Sequence, residues 1–197
     1  MIGDAWVFTA RHYIKMALRH LFADNALIRL VRGDTRQADM VVSMTGVKLG
    51  ERLLVVGLAD VRLLPTLGAK VGLTGRACGT DASPEVATRA ARHAEKEGVL
   101  VEVHPAAFGE VPFEPGSFDL VVVRATGDLA SEANLRLALR AAATALREGG
   151  RCEIVADTTP GGGTSLVALC GDAGYRGGRV LTDRGGLVYV EAVKRRA

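Results

Sequence analysis

The chain has 197 residues, enough for one domain with a sizeable core and little room for a second. Hydrophobic residues make up 48% and charged residues 24%, and no apolar run approaches the roughly 18 residues that span a bilayer. The net charge of +3 lies wholly in residues 1–50, which hold seven Lys/Arg against four Asp/Glu, and so small an excess argues against nucleic acid as a partner. Cys78, Cys152 and Cys170 form no Cys-x-x-Cys pair. They read as free thiols of a reducing cytosol, not as a disulfide framework or a metal site, and the two in apolar strand-like runs are expected to be buried. The N-terminus carries Asp4 and no short apolar core ahead of a cleavage site, so no secretory signal is expected and a cytoplasmic setting is.

Residues 5–22 read as an amphipathic helix, with Val7, Ala10, Ile14, Ala17, Leu18 and Leu21 on one stripe and Arg11, His12, Lys15 and Arg19 opposite. Asp24 or Asn25 can cap a second helix that Gly33 ends, and Asp34 or Thr35 a third that carries Ala38, Val41 and Val42 inward and stops at Gly46. From Glu51 the pattern changes. "RLLVVG" is a continuous apolar run of strand length, as expected where both faces of a sheet are covered. A helix over about Val61 to Gly68 follows, and Pro65, placed beyond its first turn, is expected to perturb it. "RACGTD" is a second strand. "SPEVATRAARHAEKEG" is a helix with Ser83 as N-cap, Pro84 at the first helical position and Gly98 as the stop. "VLVEVH" and "FDLVVVRA" are the third and fourth strands. Residues 131–148 form an Ala/Leu/Arg-rich helix closed by Gly149-Gly150, and "RCEIVAD" is a fifth strand. "TSLVALCGDAGY" is a shorter helix. "GRVLTDRGGLVYVEAV" alternates around Arg184-Gly185-Gly186 and predicts an antiparallel hairpin. The expected fold is α/β: a doubly wound, mostly parallel sheet of about seven strands with a C-terminal antiparallel hairpin, plus N-terminal helices.

The order of these segments resembles the class I S-adenosylmethionine-dependent methyltransferases over residues 46–193. "GVKLGERLLVVG" resembles the lead-in to that family's first motif. "GRACGTDASPEVATRAARHA" resembles its second strand, acidic ribose contact and following helix. "VPFEPGSFDLVVVRA", "ALREGGRCEIVAD" and "AGYRGGRVLTDRGGLVYVEAVK" resemble the fourth strand, the entry to the fifth and the closing hairpin. The resemblance implies a Rossmann-like domain over 46–197 that binds S-adenosylmethionine. Residues 1–45 would form a helical segment acting as a lid or as a packing or dimer element.

The family's first motif runs acid-x-Gly-x-Gly-x-Gly. Gly57 matches the first glycine, Ala59 stands for the second, Val61 for the third, and Val55 for the acid. A β-branched residue tolerates positive φ poorly, so Val61 is the awkward replacement if the turn requires it. Asp60 either substitutes for the missing acid or caps the next helix. Asp81 matches the ribose-binding acid; without a cofactor it would cap the turn before Ser83. Ala107 takes the place of the Asp that accepts from the adenine amino group, and Phe108 beside it either stacks on adenine or plugs its pocket. Arg124 holds an anionic acceptor or the cofactor's carboxylate, or it pairs with Asp119 or Asp128. His104 is a proton-transfer candidate or a surface residue. The cofactor-binding set is therefore Gly57, Ala59, Asp81, Ala107, Phe108 and Arg124, with no catalytic residue assigned and no metal expected. Two functions follow from the resemblance: methyl transfer to a small-molecule acceptor, or a degenerate methyltransferase fold serving as a binding or assembly module. Residues 5–22, with Trp6, Phe8 and Tyr13, are the candidate surface for a homodimer, a partner or a membrane surface.

Overall fold

Arg52–Val56 form the first strand, β1, in the computed structural model, which describes residues 40–159 and 161–196. The predicted helix 5–22, its aromatic residues, the second helix and the start of the third lie outside the described residues. Residues 40–45 are helical and run into Gly46.

β1 alternates between two interiors. Leu53 and Val55 enter one apolar cluster, Leu54 and Val56 the other, and the first three of these are fully buried. Each such side chain contributes roughly 1.5–3 kcal/mol of burial free energy, which is why a strand with no polar face is stable here. Helix α1 (Leu63–Val71) covers the first cluster with Leu63, Leu64, Leu67 and Val71, joined by Val41 from the helical residues 40–45. β2 (Arg76–Asp81) pairs parallel with β1. Helix α2 (Pro84–Lys96) adds Ala90 to the same cluster. β3 (Glu102–Pro105) pairs parallel with β2. β4 (Phe118–Ala125) returns to pair with the other side of β1. A 3-10 turn (Gly127–Ala130) and helix α3 (Glu132–Ala145) follow, then β5 (Leu146–Asp157), helix α4 (Gly162–Asp172), β6 (Tyr175–Arg184) and β7 (Leu187–Lys194). α3 and α4 cover the second cluster with Leu135, Ala138, Leu139, Leu166 and Leu169.

The sheet has seven strands in the order β3-β2-β1-β4-β5-β7-β6. β1 to β5 are parallel; β7 runs antiparallel to both β5 and β6. This is the predicted doubly wound α/β fold with its closing hairpin. Gly185 and Gly186 both hold positive φ, 64° and 78°, the geometry that lets a two-residue turn match the twist of its strands.

Two local expectations fail. The predicted helix over 131–148 stops at Ala145. Leu146 turns extended (ψ 140°), is fully buried and pairs with Phe118 of β4, so sheet pairing overrides the helix-favouring "LRE". The ladder then slips between Phe118 and Leu120, which absorbs the two glycines inside β5. Pro65 does not disturb α1 either. The helix starts at Leu63, so Pro65 lies in the first turn, where its missing N–H would have had no helical partner.

Candidate functional site

Strand order reverses between β1 and β4, and the crevice above the carboxyl ends of such a pair is where open α/β sheets bind ligands. Gly57 ends β1 at this place with φ +89°. A Cβ on Gly57 would lie 2.6 Å from the Arg124 carbonyl oxygen and 2.8 Å from Leu129. The residue therefore has to be glycine twice over, for its dihedral and for the approach of β4. Its amide donates to the Thr80 carbonyl at 2.9 Å, tying the turn to β2.

Asp81, partly buried, ends β2 next to that turn. Its Oδ2 accepts from the Leu58 amide at 2.7 Å and its Oδ1 from the Ser83 amide at 2.9 Å. The predicted capping role before Ser83 is thus present, and a second role appears with it: the carboxylate braces the loop after β1. Ala59 is exposed. Asp60 is exposed too, and its Oδ1 accepts from the Arg62 amide at 3.2 Å, a local cap at the entry to α1.

Val61 takes no positive φ; among the described residues only glycines do. Its side chain packs against the cluster under α1 and lines a groove facing α2, so the strain expected of a branched residue does not arise. Val55 is wholly buried among leucines, so its position is core rather than crevice. Ala107 is exposed in the turn after β3, where its carbonyl accepts from Glu110. Phe108 packs on the opposite cluster, together with Val111 and Phe113. His104 is exposed, pairs with Glu102 at 3.0 Å and sits edge-on to Phe113.

Arg124 is nearly buried, and its partner is neither Asp119 nor Asp128. One guanidinium nitrogen donates to the Val155 carbonyl at 3.2 Å and another to Asp157 at 3.0 Å. Asp119 instead holds Arg147 and the Arg52 amide. The reason is register: Arg124 lies opposite Val155 in the β4–β5 ladder, which brings the end of β5 within reach.

Two residues of this edge escape the sequence reading. Asp157 closes β5, and an acid at the carboxyl end of a core strand was the available signal. Tyr189 of β7 is fully buried, and its hydroxyl has no hydrogen-bond partner among the described residues. Burial pushes its pKa up, the Arg124 guanidinium pulls it down, and Asp60 pushes it up, which places all three groups within electrostatic range. No group of His, Cys, Asp and Glu among the described residues is arranged to hold a metal ion. No helix among them is long and apolar enough to cross a membrane.

The site separates into two halves. Gly57, Ala59 and Asp81 come together at the ends of β1 and β2, a backbone-lined turn with a carboxylate beside it. Arg124, Asp157 and Tyr189 gather at the ends of β4, β5 and β7. Ala107 and Phe108 follow Ala106, whose amide donates to the Asp81 carbonyl at 3.0 Å.

Comparison with known proteins bears on this arrangement. A family model described as a methyltransferase domain matches residues 54–150. No curated protein matches the sequence. Among solved structures, a SAM-dependent methyltransferase from Aquifex aeolicus superposes with TM-score 0.69 at 21% identity, covering 79% of this chain and 88% of that one. The [4+2]-cyclase SpnF superposes with TM-score 0.65 at 16% identity, covering 82% and 81%. A chain from the complex of the Haloferax volcanii Trm112 methyltransferase activator gives TM-score 0.63 at 16% identity, covering 81% and 89%. At these identities the likeness is one of fold.

Proposed function

We propose, starting from a chain that belongs to the class I S-adenosylmethionine-dependent methyltransferase superfamily, that the protein binds this cofactor at the Gly57–Asp81 edge and transfers its methyl group to a small-molecule acceptor. The observation that carries the reading is the contact between Asp81 and the turn after β1, at 2.7 Å. It sets a carboxylate suited to two neighbouring ribose hydroxyls beside a glycine turn that a cofactor can approach closely.

The residues present fit the group. A carboxylate offers about four acceptor positions, and the Leu58 and Ser83 amides use two. Ala59 adds one exposed methyl group at ordinary φ, and Val61 is turned toward α2. Exposed Asp60 is the one acid of the turn that can face the cofactor's amino group in place of Val55. When bound, the cofactor supplies a methyl group already activated on a sulfonium. The chain's own part is to hold and align, which can supply much of such a reaction. Arg124, with Asp157, borders the acceptor side.

A second reading keeps the fold as a binding or assembly module. Buried, apolar Val55 favours it, since no carboxylate can stand there without a large desolvation cost. The likeness to a named cyclase supports other chemistry on this scaffold, and that to a chain from an activator complex supports partner docking, for which residues 5–22 are the proposed surface.

Calorimetric titration with S-adenosylmethionine and S-adenosylhomocysteine separates the two readings. The enzyme reading expects micromolar binding, weakened at least tenfold in Asp81→Asn. The asparagine oxygen can still brace one backbone amide, so the loop is retained. No binding at millimolar ligand would exclude the enzyme reading and leave the module.

A further inference from the structure

Six arginines among the described residues have acidic partners. Arg76 pairs with Glu102, Arg124 with Asp157, Arg136 with Glu132 and Asp172, Arg147 with Asp119, Arg151 with Glu51, and Arg179 with Glu191. α2 gathers exposed basic side chains without such partners on one face. Arg89, Arg92, His93 and Lys96 fall at i, i+3, i+4 and i+7, one stripe of a helix. Among the described residues none of the four side chains makes a hydrogen bond or ion pair.

That stripe forms one wall of a groove of about 670 Å³ that opens at Val61 and Pro84, just behind the turn carrying Gly57. A second concavity of about 420 Å³ shares His93 with it and continues between α1 and α2. Like charges held together on one helix face repel, so the arrangement disfavours the empty state and favours a bound anion.

Length and surroundings narrow the ligand. From Arg89 to Lys96 the helix advances about 10 Å at 1.5 Å per residue. Glu85 lines the first concavity and Glu97 the second. The Ser83 hydroxyl donates to the Glu85 carboxylate and holds its pKa below the usual range, so that carboxylate is negatively charged. A long phosphodiester strand running through both concavities would meet an acid in each. Among the described residues no aromatic side chain lines either concavity to stack a base.

We propose that the α1–α2 groove is a second ligand site, separate from the cofactor edge, for a small molecule carrying a pyrophosphate or two neighbouring phosphates. Arg89 and Arg92 offer planar forks to phosphate oxygens, Lys96 adds a third cation, and the His93 ring adds a nitrogen donor. The proposal does not depend on methyl transfer.

Calorimetry on the full chain tests it with pyrophosphate, inorganic phosphate and a long single-stranded oligonucleotide. Pyrophosphate is expected to bind more tightly than phosphate and to weaken as salt is raised. The double variant Arg89→Ala/Arg92→Ala, both sites exposed, should lose at least tenfold in pyrophosphate affinity while S-adenosylmethionine titration and circular dichroism stay unchanged. Arg140→Ala, an exposed cation on α3, should have no effect. Failure of pyrophosphate to bind at millimolar concentration overturns the proposal, as does equal weakening by Arg140→Ala. Tighter binding of the oligonucleotide, lost in the double variant, would assign the groove to nucleic acid instead.

Discussion

Gly57 shows what a single residue contributes here. Its φ of +89° and the 2.6 Å separation between a would-be Cβ and the Arg124 carbonyl act together, because backbone cannot rotate away as a side-chain tip can. Gly57→Ala is therefore expected to cost roughly 2–4 kcal/mol, combining a strained dihedral with displacement of β4. Urea denaturation of the variant checks this, and a loss under about 1 kcal/mol would contradict the geometry. At this scale the sequence was legible where chemistry is local. The turn at Gly57 and the strand end at Asp81 follow from a strand, a turn and a helix start, while their cofactor roles are what the family resemblance implies. Arg124 could not be matched to Asp157, since that contact depends on β4–β5 register and the partners are 33 positions apart. The φ at Val61 is likewise a matter of the whole turn, which confines positive φ to Gly57.

α2 and β5 show the same contrast between elements. Every boundary signal of α2 is local. Ser83 Oγ accepts from the Val86 amide at 3.2 Å and donates to Glu85 at 2.7 Å, and Pro84 occupies the first turn. Loss of this cap in Ser83→Ala should cost about 1 kcal/mol, within the usual range of roughly 0.5–2. The change is to be read as a lower denaturation midpoint at unchanged slope, whereas an unchanged midpoint would mean that Pro84 and the Asp81 brace suffice to start the helix. β5 begins instead where nonlocal forces decide. Residues 146–148 have good helix propensity, yet Leu146 is taken by Phe118 on one side while its carbonyl accepts from Lys194 at 2.6 Å on the other. No window of sequence around Leu146 contains either partner. The hairpin β6–β7 was legible because its turn is two glycines between alternating strands, a wholly local code.

Across the whole molecule the two faces of the sheet are apolar interiors, and the three thiols lie buried; burial pushes Cys78 and Cys170 up to about 11 each, so neither is a nucleophile near neutral pH. Two charge-bearing residues break this regularity among the described residues, Arg124, which is paired with Asp157, and Glu153. Glu153, in the middle of β5, is 1% exposed, and neither carboxylate oxygen has a hydrogen-bond partner among the described residues. Arg151 approaches to 3.8 Å, and Glu191 stands opposite it on β7 with Arg179 beyond. Burial, then repulsion from Glu191, pushes the Glu153 pKa up to about 9, while Arg151 and Arg179 oppose the rise. The unfolded chain gives up this proton near 4.5 and the folded chain near 9, so between those values the folded state holds one proton more. Stability from this group is then fully present below the lower value and falls as pH rises toward the upper one. Glu153→Gln keeps the shape and removes the titration. The variant's stability relative to the natural chain should therefore grow with pH, by about 1.4 kcal/mol per unit at most across the window. Paired denaturation curves at pH 5, 7 and 9 measure that difference. Parallel pH profiles for the two proteins would mean that Glu153 is ionised in the fold and that Arg151 neutralises it despite its distance.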